Sequence, residues 1–233
     1  MMNSGKCIDI NEIMRNKESW ADKFCEENLT LKILLLYSWN NNLTTYASCI
    51  GHPDDIPSSN NKAFIIYEYN GDSLKKLTHL INTCLEKVGI MISITKGSSF
   101  ENRLSISTTS IRADDFFQFI YDTLIKEKEE SNELYLMIDN CLTNYGSKDD
   151  GFTIFIQKNN HQKYDAEFLA YTEAGTFHEI QDKLHDFLIA HNYQSDYELT
   201  EKYWPLKAEH KSLSDINNLM IKINDMLISE KTN

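Results

Sequence analysis

From Ala63 onwards, the spacing of the apolar residues changes from that of a strand to that of a helix and then to that of two further strands. This succession limits the folds that the chain can adopt. Ala63–Tyr69 (AFIIYEY) is short and rich in β-branched and aromatic residues, which predicts a strand. A helical stripe follows and stops before Gly89; its members are Leu74, Leu77, Leu80, Ile81, Cys84, Leu85 and Val88. Two alternating segments, Ile90–Lys96 and Arg103–Thr109, then flank a turn. This order predicts an α+β fold, with helices covering an antiparallel sheet.

The rest of the chain adds a second hairpin and more helices. The second hairpin is predicted from Phe152–Gln157 and Tyr164–Thr172. Three helices are predicted from apolar stripes, at Ala113–Glu130, Thr176–His191 and Ser212–Ile228. Ser212 and Asp215 form a variant capping box at the start of the last one. Upstream, Asp9–Phe24 has near-helical spacing, whereas Leu29–Trp39 fits either a buried helix or a buried strand. The fold therefore has helical extensions at both ends.

Two helix-like segments of the chain resemble each other. Leu77–Gly89 and Leu134–Gly146 share apolar, cysteine and glycine positions at a constant offset of 57 residues, and a hairpin pattern and a helix follow each. One interpretation is a duplicated helix–strand–strand–helix unit, in which Glu133–Tyr145 is a helix. The alternative is a ferredoxin-like βαββαβ unit over residues 63–140, in which the same run provides the fourth strand.

The segment Asn40–Asn61 is the longest loop-like part of the sequence. It contains Pro53 and Pro57, two of the three prolines in the chain. We predict the domain boundary here, with a helical extension and loop over residues 1–61 and an α+β domain over residues 62–233. One continuous domain is the alternative.

The charge of the chain narrows the choice of partners. Asp and Glu number 35 against 23 Lys and Arg, which gives a formal net charge of −12. Residues 112–150 hold 10 acids and 4 bases, and residues 165–201 hold 9 acids and 1 base. This excess argues against binding to nucleic acid, which requires positive charge. It favours a protein partner with a basic surface.

The sequence also indicates the cellular compartment of the protein. The longest apolar run, Leu31–Trp39, contains Lys32 and is far shorter than the roughly 20 residues of a membrane span. The five cysteines include no Cys-x-x-Cys pair, as expected for free thiols in a reducing compartment. We expect a cytoplasmic protein without membrane insertion, and signal-less export by a specialised system stays open.

A short string in the predicted loop has the appearance of a metal site. Residues 51–55 read Gly-His-Pro-Asp-Asp, which is similar to the His-Pro-Asp-Asp-Glu motif of the LmbE-like zinc-dependent deacetylases. The resemblance implies that His52 and Asp55 bind a metal and that Asp54 is the general base. It covers five residues, and Ile56 stands where that family has glutamate. The same string also fits an ordinary polar turn.

The predicted helix Thr176–His191 offers a second set of candidates. His178, Asp182 and His185 lie on one side of it, where they form a metal site, a pH-sensitive contact surface or a solvated edge. Partner binding is predicted for the acidic side of this helix and for an aromatic pair in a polar segment, namely Glu179, Asp182, Asp186, Tyr203 and Trp204.

No local signature marks a catalytic nucleophile or a cofactor site, so the sequence favours a non-catalytic interaction protein without a cofactor. In composition, and in having helices against an antiparallel sheet, the chain resembles the small acidic chaperones of bacterial secretion systems. The predicted role is an adaptor or chaperone-like subunit of a larger bacterial assembly such as a secretion system. The alternatives are an immunity-type inhibitor, or a metal-dependent hydrolase or secreted effector enzyme using His52, Asp54 and Asp55.

Overall fold

The computed structural model of this chain describes residues 10–25, 27–51, 63–96, 102–108, 110–126, 150–172 and 206–231, together with residues 186 and 190. The helices in these ranges are α1 (Ile10–Arg15), α2 (Lys17–Phe24), α3 (Leu29–Asn40), α4 (Gly71–Leu85), α5 (Ala113–Leu124) and α6 (Leu213–Lys231). The strands are β1 (Thr45–Cys49), β2 (Phe64–Glu68), β3 (Ile90–Lys96), β4 (Arg103–Thr108), β5 (Asp150–Lys158), β6 (Tyr164–Thr172) and β7 (Leu206–Lys211).

The strands of the described part form one seven-stranded sheet in the order β1-β2-β4-β3-β5-β6-β7. Every neighbouring pair is antiparallel. β4 therefore lies between β2 and β3, the two strands that α4 connects, in a split β–α–β arrangement. The predicted α+β fold with an antiparallel sheet is confirmed.

The two faces of the sheet have different surroundings. On the covered face, Ile92, Ile94, Ile154 and Ile156 are at most 2% exposed and share one buried cluster with helix residues. All the buried apolar strand residues of the described part lie on this face, since they alternate along each strand and pair directly across strands. The opposite side, which we call the open face, carries the intervening residues Phe64, Ile66, Glu68, Met91, Ser93, Thr95, Arg103, Ser105, Ser107, Thr153, Phe155, Gln157, Asp165 and Glu167. Parts of this face are also covered, since Ser93, Ser107 and Thr153 are at most 8% exposed.

The apolar run after Leu29 forms helix α3, which settles the choice left open by its sequence. Its N-cap is Asn28, whose side chain accepts a hydrogen bond from the backbone N–H of Leu31 at 2.8 Å. α3 packs on α5, where the rings of Tyr37 and Tyr121 meet edge to face and the Tyr37 hydroxyl donates to the Leu124 carbonyl at 3.2 Å. Residues from α3 therefore belong to the same buried cluster as the sheet.

The predicted strands of both hairpins and the predicted C-terminal helix are confirmed. Two further strands, β1 and β7, were not predicted. β1 lies inside the segment that we predicted as a loop, so that part of the prediction is wrong. β1 is a five-residue edge strand with an irregular register against β2, and such a strand leaves only a weak apolar pattern. β7 (LKAEHK) is polar in sequence and is held by its pairing with β6.

Several predictions concern residues outside the described ranges. Both alternatives for Glu133–Tyr145 fall there, so neither the duplicated unit nor the ferredoxin-like unit is established. The predicted helix Thr176–His191 also lies mostly outside, although Asp186 and Ala190 have helical backbone. The predicted domain boundary, which involves residues 52–61, stays a prediction.

Candidate functional site

Helix α4 begins with a complete capping box. The Asn70 side chain accepts hydrogen bonds from the backbone N–H groups of Asp72 and Ser73, and the Ser73 hydroxyl accepts one from the backbone of Asn70 at 2.7 Å. The helix then buries one stripe against the sheet, made of Leu77, Leu80, Ile81, Cys84 and Leu85. His79 and Thr83 lie one turn apart on the flank of that stripe and are partly exposed.

Helix α5 supplies the opposite side of the site. It begins with Asp114 and Asp115 in its first turn, where carboxylates favour the positive end of a helix. It buries Phe116, Phe117 and Ile120 completely. The flank of this buried stripe carries exposed Asp115 and partly exposed Asp122, seven residues apart. Two helical turns separate these carboxylates, which is a rise of about 10 Å.

A groove of about 470 Å³ runs between the two helices. Its α4 side is lined by His79 and Thr83, and its α5 side by residues between Asp115 and Lys126. The charged groups of the lining are the carboxylates of Asp115 and Asp122 and the ammonium group of Lys126. The apolar part of its lining is the ring of Phe119, over which Lys87 Nζ lies 4.9 Å from the ring centroid.

Hydrogen bonds fix the polar side chains of the groove. Gln118 donates to Asp122 Oδ1 at 2.8 Å, which orients that carboxylate. The hydroxyls of Thr83 and Thr123 donate to carbonyls of their own helices, those of His79 and Phe119, at 2.9 and 2.8 Å. The carboxylates of Asp115 and Asp122 only accept hydrogen bonds, so they are suited to bind an ammonium or guanidinium group.

A second polar cluster ties the end of α4 to the second hairpin. Glu86, the C-cap residue, accepts hydrogen bonds from Lys158 Nζ and from the hydroxyl of buried Tyr164, both at 2.7 Å. The bonds from Lys158 and Tyr164 lower the pKa of Glu86 below its usual range. Burial, followed by the bond to Glu86, raises the pKa of Tyr164. This cluster fixes the packing of α4 against β5 and β6.

The buried groups of the core have structural roles. Burial raises the pKa of the Cys84 thiol, which is fully buried and therefore stays protonated and unreactive. Tyr67 is also fully buried, and its hydroxyl lies 3.2 Å from that of Ser38. This hydrogen bond satisfies two polar groups that are removed from water.

Most of the residues predicted for the site lie outside the described ranges. They are the loop candidates His52, Asp54 and Asp55, the helix candidates His178, Glu179, Asp182 and His185, and the aromatic pair Tyr203 and Trp204. Asp186 is described, and it is exposed on helical backbone. Within the described ranges, no group of three or more His, Cys, Asp or Glu side chains is placed to hold a metal ion.

Sequence reasoning missed the α4–α5 groove. Neither Asp115 nor Asp122 was singled out from the sequence. A signal was present, because Asp115, Phe119 and Asp122 are spaced at helical intervals beside the apolar stripe of α5. That spacing does not show which helix packs alongside, so the groove itself follows from tertiary structure.

No described helix has the length and apolar character needed to cross a membrane. No family model, curated protein or solved structure matches the chain.

Proposed function

We propose that this chain is a non-catalytic protein-interaction module that binds a basic segment of a partner protein in the α4–α5 groove. Its role would be that of an adaptor or chaperone-like subunit of a larger bacterial assembly such as a secretion system, acting in the cytoplasm. The groove itself is the main support for this proposal. Its two carboxylates, Asp115 and Asp122, are two helical turns apart along α5, and Phe119 lies between them.

The spacing of the carboxylates suits a basic segment better than a single cation. Two cationic side chains about 10 Å apart could each meet one of them. The lysine or arginine stems of the partner would replace Lys87 over the Phe119 ring, since such stems bury their methylenes along apolar surface. Asp122 is held by Gln118, so less side-chain entropy is lost when a partner binds there.

The first test uses hexalysine as the probe and full-length protein, with binding measured by calorimetry. We expect Asp115→Asn and Asp122→Asn each to weaken binding by about 1.5- to 5-fold, because exposed ion pairs contribute roughly 0.2–1 kcal/mol. Binding should also weaken as salt rises from about 0.1 to 0.5 M. Equal affinity of the double variant and the unaltered protein would contradict the proposal.

Asp114→Asn is the matched control. It removes the same charge from the same helical turn, but Asp114 is not part of the groove lining. Asparagine can still accept the hydrogen bond that Asn28 donates to Asp114 at 2.7 Å. Hexalysine affinity should therefore change less than in Asp115→Asn. Stoichiometric zinc in the purified protein, lost on His52→Ala, would instead support the hydrolase alternative.

A further inference from the structure

Helix α3 has apolar residues on its outer side as well as on its buried side. The outer side carries Leu29, Ile33 and Leu36, at intervals of four and three residues, so they form one continuous stripe, which we call the outer stripe. The opposite side is fully packed and consists of Leu31, Leu34, Leu35, Ser38 and Trp39. A helix that is apolar all round is normally covered all round.

The outer stripe is uncovered in the described part of the chain. Leu29 is 68% exposed, the largest fraction among the large apolar side chains that the structure describes, and Ile33 is 43% exposed. α5 packs along one flank of α3 and α2 along the other, where Lys32 lies 2.6 Å from Asp22 and 3.9 Å from Glu18. The stripe is therefore open to solvent between its two neighbouring helices.

The N-terminal end of the outer stripe is acidic. Glu27 comes directly before the N-cap of α3 and is exposed. Asp114 lies beside the same N-cap, because the Asn28 side chain donates a hydrogen bond to it at 2.7 Å. Within the described ranges, neither carboxylate forms an ion pair with a lysine or arginine. Two negative charges without a cationic partner among these residues therefore lie at this end.

The C-terminal end of the outer stripe is basic. The Lys17 ammonium group donates to the Trp39 carbonyl at 3.1 Å and to Asn40 Oδ1 at 2.9 Å, and Lys76 donates to the Asn41 carbonyl at 3.1 Å. Among the residues that the structure describes, neither lysine has a carboxylate partner. An ammonium group has three N–H donors, so Lys17 retains one for a further contact.

The two charged ends lie almost equally far from Ile33. Asn28, at the acidic end, is five residues before it, and Asn40, at the basic end, is seven residues after it. These separations correspond to about 8 and 10 Å along the helix. A two-fold axis at Ile33 therefore places the acidic end of one copy of α3 opposite the basic end of another.

We propose that α3 docks on α3 of a second copy of this chain, as an antiparallel pair about a two-fold axis at Ile33. Ile33 then meets its own equivalent. Leu29 of each copy meets Leu36 of the other, because these residues are four and three positions from the axis. A parallel pair would bring like charges together at both ends, which disfavours it. Because the contact is isologous, it closes as a dimer and does not extend into a filament.

The proposed dimer leaves the α4–α5 groove accessible. The described lining of that groove comes from α4 and α5 and includes no residue of α3. Each dimer would therefore carry two grooves, and a partner with two basic segments could bind both. The inference does not depend on what the groove binds.

The first test is sedimentation equilibrium of the full-length protein without added ligand. A stripe on one helix buries less than the roughly 800 Å² per partner of a standard interface, so we expect a weak dimer that forms between about 10 µM and 1 mM protein. Ile33→Asp should raise the dissociation constant about tenfold or more, because the axis then brings two carboxylates together. Ile221→Asp is the matched control, since it places the same charge at a 39% exposed isoleucine of α6, and it should have no effect.

Cysteine cross-linking tests the orientation of the pair. Ile33→Cys should form a disulfide-linked dimer under mild oxidation, because residue 33 faces its own equivalent. Leu29→Cys should not, since its two copies lie about 12 Å apart along the axis of the pair, too far for a disulfide. Leu29→Cys combined with Leu36→Cys should cross-link again. The unaltered protein gives the baseline for the native cysteines.

A charge exchange tests the contact between the ends. Glu27→Lys should weaken association about 1.5- to 5-fold, as expected for the loss of an exposed ion pair. Adding Lys17→Glu to the same chain should recover part of that loss, because the attraction is restored with the signs reversed. Circular dichroism reports whether the variants are folded, since Lys17 also binds the end of α3.

Each contrary result has a definite meaning. A protein that stays monomeric up to 1 mM would overturn the inference. Equal effects of Ile33→Asp and Ile221→Asp, or a dimer that persists in Ile33→Asp, would show that another surface forms the contact and would also overturn it. Efficient cross-linking of Leu29→Cys alone would contradict the antiparallel arrangement. None of these measurements uses hexalysine, so they can fail while the proposed function stands.

Discussion

The covered and open faces of the sheet place different demands on the same strands. On β4, Leu104 and Ile106 are fully buried on the covered face, whereas Arg103 and Ser105 alternate with them on the open face. The covered residues are aliphatic because they share one core with the helices. The open residues are polar, charged or apolar from one position to the next. The core therefore restricts the covered face to apolar residues, whereas the open face accommodates residues of different chemistry.

The largest expected effect on stability is at Ile106, and its neighbour Ser105 on the opposite face of β4 is the control. Ile106→Ala should lower the free energy of unfolding by about 2–5 kcal/mol, because it leaves a cavity in a fully buried site. Ser105→Ala should change it by less than about 0.5 kcal/mol. Urea unfolding followed by circular dichroism measures both. Similar losses in the two variants would break the comparison between the faces.

The covered face is also the part of the fold that the sequence predicts well. Ile90–Lys96 and Tyr164–Thr172 were predicted with the bounds that β3 and β6 have in the structure. Such strands alternate apolar and polar residues because one side is buried, and this alternation is local information. The Ser212 and Asp215 capping box was predicted for the same reason and is confirmed, with the Asp215 N–H donating to Ser212 Oγ at 3.1 Å.

The elements that the sequence did not predict depend on partners distant in the chain. β7 pairs with β6 across a gap of more than thirty residues, and its apolar alternation is limited to Leu206 and Ala208. The groove requires α4 and α5 to lie side by side, which helical periodicity does not specify. The strand order, in which β4 lies between β2 and β3, likewise depends on pairings that no single segment encodes.

A medium effect is expected at Gly89, which lies directly before β3. Gly89 has a φ of +83°, and a β-carbon there would collide with the Ser110 hydroxyl. Gly89→Ala should therefore lower the free energy of unfolding by about 1–3 kcal/mol. Chemical denaturation of the variant checks this value.

Gly89→Ala in a Ser110→Ala background separates the two causes of this loss of stability, which are the strained backbone and the collision with the Ser110 hydroxyl. Removal of the Ser110 hydroxyl relieves the collision but leaves the strained backbone, so Gly89→Ala should cost less there than in the unaltered protein. A neutral effect of Gly89→Ala in both backgrounds would show that neither the backbone conformation nor the collision limits stability at this position.

The smallest effect is expected at Glu86, which lies on neither face and binds Lys158 and Tyr164 at the end of α4. The lowered pKa of Glu86 means that its contribution to stability is present above the usual glutamate pKa and is lost as pH falls through the lower, folded-state value. Glu86→Gln should therefore lower the free energy of unfolding at pH 7 by less than about 1 kcal/mol, because the Glu86 side chain is 59% exposed.

Urea unfolding at neutral and strongly acidic pH measures this contribution. The difference between Glu86→Gln and the unaltered protein should shrink towards zero in acid, where both side chains are neutral. Tyr164→Phe is the companion variant: it removes one hydrogen bond to Glu86 but retains Lys158, so it should retain part of the pH dependence. If Glu86→Gln cost as much as Ile106→Ala, the stability of the sheet would depend on its polar end contacts as strongly as on its covered face.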